Sequence, residues 1–135
     1  MNRREAYQYY GGIADRFEYG TERDADCIPA AEALIRQTQT ETDREILEMI
    51  FYALLVLVTH RNTAKLLDFS PITAHWERFD AMPLYYLPDI LAETGDLRHE
   101  ALLRSIHAKY PQIEITDALS LLHYRAAHPE GGSPA

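Results

Sequence analysis

The chain has 135 residues, of which 47% are hydrophobic and 25% are charged, and its formal net charge is −8 at pH 7. This length favours one compact domain, and the acidic charge argues against a nucleic-acid-binding surface and against a polybasic membrane-binding surface. Cys27 is the only cysteine, which excludes an intrachain disulfide and a CxxC metal or redox motif.

The first 40 residues predict two helices. In residues 3–19 the apolar side chains recur at helical spacing, at Tyr7, Tyr10, Ala14 and Phe17. The Gly11-Gly12 pair within this segment weakens the prediction, since each glycine costs about 1 kcal/mol in a helix. A second stripe follows Pro29, which suits a first helical turn, and it ends near Gln39. Its apolar residues are Ala31, Leu34 and Ile35.

The longest apolar run, MIFYALLVLV at residues 49–58, predicts a central helix that is buried on most faces. Its β-branched residues also allow a buried strand, but the flanking residues favour a helix. Residues 42–45 (TDRE) have the form of a capping box, and His60 and Arg61 provide positive charge at the other end. We therefore predict a helix over 43–60, and its apolar run of ten residues is too short to span a membrane.

The second half of the chain predicts three more helical segments. The first keeps the helical period through Leu84, Leu87, Ile90 and Leu91. Pro88 should kink or divide this segment, and Gly95 ends it. Asp96 then caps a helix whose apolar face carries Leu102, Leu103, Ile106 and Tyr110 and which ends at Pro111. The last helix begins near Thr116 and spaces Ile115, Ala118, Leu119, Leu122 and Ala126 along one side.

These patterns together predict an all-α fold, a compact bundle of six or seven helices. We expect a single helical domain over residues 1–128 and a flexible tail over 129–135, which has nothing to bury. The three-residue loop TGD at 94–96 predicts that residues 82–110 form an antiparallel helical hairpin. A looser hairpin over 43–69, with its second helix at 64–69, would make the two units HEAT-like.

The segment 82–110 resembles a degenerate HEAT repeat, with its proline-bearing first helix and aspartate-led turn. With Trp76 in HWERF ahead of YYLPDILAETGD, the chain is similar to small all-helical immunity proteins of bacterial polymorphic toxin and contact-dependent growth inhibition systems. This resemblance implies a non-catalytic protein that binds and blocks the C-terminal toxin domain of its neighbour. We expect it in the cytoplasm, because no signal-peptide pattern opens the chain.

The acidic side chains are densest in one short segment, which also contains two arginines. The five acids of this segment are Asp15, Glu18, Glu22, Asp24 and Asp26. One interpretation is a solvated face that keeps the protein soluble. The other is a docking surface for a basic partner, such as a nuclease toxin, because complementary charge raises association rates.

The aromatic residues are dominated by nine tyrosines. Adjacent residues of a helix cannot share one face, so one member of the pair Tyr85-Tyr86 must lie near the surface, and the same holds for Tyr9-Tyr10. Tyrosine is enriched in protein interfaces, which makes Tyr85 and Tyr86 candidate partner-binding residues. Trp76 is predicted to anchor the core between helices.

No catalytic motif is present, so we predict a protein that is not an enzyme. The histidines form neither HExxH nor Glu-x-x-His and are interpreted as solvated or helix-end residues: His60, His75, His99, His107, His123 and His128. Asp24 and Asp26 should raise the pKa of the Cys27 thiol, which makes a reactive thiolate improbable. We expect no metal and no cofactor. The alternative functions are a helical adaptor for a cellular partner and a small helical enzyme or ligand-binding bundle.

Overall fold

The computed structural model of the chain describes residues 1–130, and residues 131–135 of the predicted flexible tail lie outside the described residues. Within residues 1–130 there are eight α-helical segments and no strand, which confirms the predicted all-α fold. They are α1 Arg3–Tyr19, α2 Ile28–Gln37, α3 Arg44–His60, α4 Ser70–Thr73, α5 Ala81–Leu84, α6 Leu87–Ala92, α7 Glu100–Lys109 and α8 Thr116–Ala127. Short 3₁₀ turns occur at Asp24–Cys27, Ala64–Leu66, Trp76–Arg78 and Leu97–His99.

Helices α1 and α3 lie side by side and run in the same direction, with α2 as the return crossing. At their starts, Arg3 Nε lies 2.9 Å from Asp43 Oδ2. At their ends, Glu18 Oε1 lies 3.5 Å from His60 Nε2. This pair makes the most extensive contact between helices in residues 1–130, and it determines which residues of α1 and α3 share a surface.

Helix α1 continues without interruption through Gly11 and Gly12, as predicted. Its buried residues are Ala6, Tyr10, Ala14 and Phe17. The prediction that Tyr7 belongs to the apolar stripe is wrong, because 71% of this residue is exposed. The small Ala6 is fully buried in the core in its place, and the larger Tyr7 ring lies at the edge.

Helix α3 forms the centre of the core, as predicted. Its fully buried residues are Ile50, Phe51, Ala53, Leu54 and Leu57. The N-cap is Asp43 and not Thr42, since the Asp43 carboxylate accepts hydrogen bonds from the backbone N–H groups of Glu45 (2.9 Å) and Ile46 (3.2 Å). One stripe of α3 reaches the surface, where Met49 is half-buried and Tyr52 is exposed.

Pro88 divides the predicted helix before Gly95 into α5 and α6. Proline has no N–H group to donate to the Leu84 carbonyl, so the hydrogen-bond ladder breaks and Tyr85 and Tyr86 form a turn. Counting α5 and α6 as one divided helix gives seven helices in residues 1–130, within the predicted number.

Helix α6 has more neighbours than the predicted antiparallel hairpin over 82–110 would give it. Five of its six residues are buried, and it packs mainly against α3 and α8 and less against α7, its partner in that hairpin. Gly95, at φ 65°, ends this segment, and Asp96 caps the following turn by accepting a hydrogen bond from Arg98 N–H at 3.0 Å. The helix predicted over 64–69 is only the 3₁₀ turn Ala64–Leu66, because the backbone of Leu67 is extended (φ −107°, ψ 142°) and no helix resumes before Ser70.

One hydrophobic cluster runs from Ala6 in α1 to Leu122 in α8. Trp76 is half-buried at the edge of this cluster, with Lys109 Nζ 5.6 Å from its ring centroid. The prediction of Trp76 as a core anchor is therefore met only in part. In the described part of the chain, no helix combines the length and the apolar character needed to cross a membrane.

Candidate protein-binding groove

The structure separates the five acids of the segment 15–26 into two groups. Three of them form ion pairs with arginines of this chain, Glu22 with Arg16 (3.1 Å), Asp26 with Arg23 (3.1 Å) and Asp24 with Arg61 (3.5 Å). Asp15 and Glu18 lie on α1, on the side that faces the exposed stripe of α3. Of the five acids of this segment, only Asp15 and Glu18 line the hollow between α1 and α3.

Arg61 explains why the acids at 22 and 24 are held in place. Its side chain is only 9% exposed, and its guanidinium donates hydrogen bonds to the carbonyls of Phe17 and Gly20, both at 2.7 Å. It also donates to the carbonyls of Arg16 and Glu22. Arg61 thereby satisfies carbonyls at the C-terminus of α1 that would lack a helical partner. This role had no signal in the sequence beyond a basic residue at the end of α3.

Two adjoining hollows lie along the seam between α1, α3 and the start of α5, and together they form what we call the tyrosine–acid groove. Their volumes are about 480 Å³ and about 450 Å³, and both are lined by Tyr7, Met49 and Tyr52. The larger hollow is also lined by Gln8, Tyr10, Gly11, Gly12, Ala14, Asp15 and Glu18. The smaller hollow is also lined by Glu45, Glu48, Met82 and Tyr86.

Two tyrosines of the groove, Tyr52 and Tyr86, contact each other edge to face. The ring centroids of Tyr52 and Tyr86 are 5.9 Å apart with an interplanar angle of 67°, and Tyr85 packs on the outer side of Tyr86 at 5.3 Å. The Tyr86 hydroxyl lies 3.5 Å from Glu48 Oε1. Burial, together with the nearby Glu48 carboxylate, raises the pKa of Tyr86, so this hydroxyl keeps its proton at neutral pH.

The groove is acidic throughout. Among residues 1–130, no lysine, arginine or histidine lines either hollow. Arg3 contacts Glu45 at the rim (3.1 Å), and His60 lies 3.5 Å from Glu18. Within the described residues, Asp15 and Glu48 have no basic side chain within 4.0 Å. The groove therefore presents negative charge beside exposed aromatic rings.

Three of the predicted partner-binding residues line the groove, Asp15 and Glu18 in the larger hollow and Tyr86 in the smaller one. Tyr85, which is 60% exposed, packs against Tyr86. Glu22, Asp24 and Asp26 lie outside the groove. Sequence reasoning missed the groove residues of α3, which are Glu45, Glu48, Met49 and Tyr52. Their three- and four-residue spacing was a signal for one helix face, but it was hidden by the longer apolar run that overlaps it.

The residues considered for metal binding or nucleophilic chemistry have structural roles. Among residues 1–130, no group of three or more His, Cys, Asp or Glu side chains is arranged to hold a metal ion. His107 Nδ1 lies 2.8 Å from the Ile113 carbonyl, and burial lowers the pKa of His99. Cys27 is buried, and its thiol pKa is raised mainly by burial and further by nearby carboxylates that include Asp24.

No protein-family model, curated protein or solved structure matches this chain. The fold and the groove describe an acidic, all-helical protein with an exposed aromatic groove. The immunity-protein assignment stays a prediction based on the resemblance.

Proposed function

We propose that this chain is a non-catalytic binding protein that receives a basic protein domain in the tyrosine–acid groove. The observation that carries the proposal is the clustering of exposed tyrosines with Asp15 and Glu48, two carboxylates without a basic partner in the described residues. The partner best suited to this surface is a nuclease-type toxin domain, whose phosphate-binding cleft is positively charged. The chain then acts in the cytoplasm as an immunity protein that covers the toxin's active site.

The two components of the groove have separate physical roles in such a complex. Tyrosine side chains bury a large area at a small entropic cost and keep a hydroxyl for hydrogen bonding, so they supply affinity. The carboxylates attract a basic partner from a distance, so they raise the association rate and oppose acidic competitors. A fast association rate suits an inhibitor that must capture a toxin before it damages the cell.

Co-expression with the toxin domain encoded by the neighbouring gene tests the proposal. We expect the wild-type chain to co-purify with this domain and to restore growth. The double variant Tyr7→Ser/Tyr52→Ser should lose both properties while keeping its helical circular dichroism spectrum, because both residues are exposed.

The matched control is Tyr9→Ser, which removes a tyrosine that is 54% exposed and lies outside the groove. This variant should bind and protect like the wild type. If the toxin domain neither binds nor is neutralised, the immunity role is wrong. If it binds equally well to the double variant, the groove is not the binding surface.

A further inference from the structure

We propose that the smaller hollow of the tyrosine–acid groove is a receptor pocket for one arginine side chain of the partner protein. This inference rests on the proposed function, because it specifies what the partner inserts into the groove. The pocket is about 450 Å³ in volume and is bounded by three tyrosines, two glutamates and two methionines. These residues provide both kinds of surface that a guanidinium recognises, aromatic faces and carboxylate oxygens.

The aromatic walls suit a planar cation. Tyr52 and Tyr86 meet at 67°, so the two rings form a corner and do not stack on each other face to face. A guanidinium that lies on one ring is then directed edge-on towards the other. Met49 and Met82 also line the hollow, and their flexible thioethers can adapt to the aliphatic part of an arginine side chain.

The carboxylates stand where the charged end of the side chain would lie. Glu45 and Glu48 are three residues apart on α3 and therefore lie on the same side of the helix. Within residues 1–130, the Tyr86 hydroxyl at 3.5 Å is the only hydrogen-bond donor to the Glu48 carboxylate, so most of its acceptor positions are open to a new donor. Glu45 already binds a guanidinium of this chain, since Arg3 Nη1 lies 3.1 Å from its Oε1. The rim of the pocket thus accommodates this group.

Arginine fits these features better than lysine does. Its delocalised, weakly hydrated cation stacks on aromatic rings and offers several N–H groups in one plane. A lysine ammonium is more strongly hydrated and gains less from the aromatic corner. A partner residue that is inserted here would be enclosed by tyrosine rings, as is typical of the few residues that dominate an interface.

The chain carries its own reporters for a test, because it has three methionines and two of them line the pocket. We would label the methionine methyl groups of the full-length protein with ¹³C and titrate it with N-acetyl-arginine methylamide, followed by NMR. The Met49 and Met82 signals should shift in a saturable way. Met1, which lies outside the tyrosine–acid groove, should not shift. The citrulline analogue, which has a similar shape but no charge, should leave all three signals unchanged.

Two variants assign the binding to the pocket. Glu48→Gln should weaken arginine binding about tenfold, since it removes the charge from a hydrogen-bonded pair. Tyr52→Leu should weaken it by a similar factor. The matched controls Glu32→Gln and Tyr9→Leu, which change exposed residues outside the groove, should bind like the wild type.

The absence of saturable shifts at Met49 and Met82 would overturn the proposal, and so would equal shifts with the citrulline analogue or with N-acetyl-lysine methylamide, titrated in the same way. Tighter binding of tetramethylammonium would indicate a site for a small quaternary amine instead of a partner's arginine. The two proposals fail separately. If the groove variants lose toxin binding but the wild-type protein does not bind the arginine probe, only the pocket is rejected. If the wild-type protein binds the arginine probe but forms no toxin complex, only the immunity role is rejected.

Discussion

At the scale of single residues, Arg61 links the end of α3 to the end of α1. Its guanidinium donates hydrogen bonds to the C-terminal carbonyls of α1 and to the loop that follows. We expect Arg61→Ala to lower the free energy of unfolding by about 2–4 kcal/mol, because several hydrogen bonds to a charged donor are lost and partly buried carbonyls lose a partner. Urea denaturation followed by circular dichroism measures this change.

Arg61→Lys should restore only part of the loss, since an ammonium group cannot donate in the several directions of a guanidinium. The control Arg4→Ala removes an exposed arginine of α1, and it should leave the denaturation midpoint nearly unchanged. Equal effects of the alanine substitutions at 61 and 4 would contradict this role of Arg61.

Asp96 makes a second prediction at the residue scale, which concerns pH. Hydrogen bonds from the Arg98 side chain and from its backbone N–H lower the pKa of the Asp96 carboxyl from 3.8 to about 2. Because the pKa is lower in the folded state, the ionised carboxylate stabilises the fold above pH 3.8, and this contribution is lost as the pH falls towards 2. Carboxyl ¹³C NMR should find the low pKa, and Arg98→Ala should raise it towards the ordinary value. An unchanged pKa in that variant would show that the side chain is not the main cause.

At the scale of elements, the glycine pair of α1 has no structural explanation within the folded chain. A Cβ on Gly11 or Gly12 would meet nothing within 4 Å, and neither residue has a positive φ. Gly11→Ala and Gly12→Ala should therefore each stabilise the protein by about 0.5–1 kcal/mol, as expected for a helix interior. Thermal denaturation measures this gain.

The same substitutions should weaken partner binding, because both glycines line the larger hollow of the groove and admit close approach of another backbone. Gly95→Ala provides a contrast and should destabilise, since φ is 65° there and a Cβ would lie 2.9 Å from the Arg125 carbonyl carbon. Stabilisation without any change in partner affinity would place the contact elsewhere.

The burial of α3 predicts how strongly a substitution in the core lowers stability. Leu54 is fully buried at its centre, so Leu54→Ala should lower the free energy of unfolding by about 2–5 kcal/mol through lost apolar burial and an unfilled cavity. Leu66→Ala removes the same atoms from a residue that is 67% exposed and should have little effect. Chemical denaturation of the two variants gives the comparison, and similar losses would contradict the central position of α3.

Much of this element-level structure could be predicted from the sequence. The long helices α1, α3 and α8 follow from local spacing and end signals, and Pro88 divides its helix as expected. The groove could not be predicted, because it depends on which faces of α1 and α3 meet across some 40 residues of chain. Tyr7 shows the difficulty, since its helical spacing suggested the core, whereas its neighbour Ala6 is buried and Tyr7 is 71% exposed.

At the scale of the whole molecule, the acidic charge is divided between structure and surface. Reversing Asp24 or Glu22 would disturb the contacts around Arg61 and Arg16, so those residues cannot report on binding alone. We expect Asp15→Lys/Glu48→Lys to slow association with a basic partner and to flatten its dependence on salt, because these carboxylates belong to the groove. Stopped-flow kinetics at several salt concentrations measures both effects.

Glu32→Lys/Glu114→Lys changes the net charge by the same amount at exposed sites outside the groove, and it should alter the association rate less. Equal salt slopes for the two double variants would mean that overall charge, and not the groove, attracts the partner.

The parallel course of α1 and α3 has a consequence for the time at which the groove comes into existence during synthesis. Helix α1, one wall of the groove, leaves the ribosome first, and α3, the other wall, follows only after α2 has been synthesised. A nascent chain that ends before His60 has neither the complete second wall nor the guanidinium that fixes the end of the first. Contacts between such distant segments form late in folding. The ability to bind a partner should therefore arise late, once α3 and then Met82 and Tyr86 have docked, and an incomplete chain would not sequester the partner unproductively.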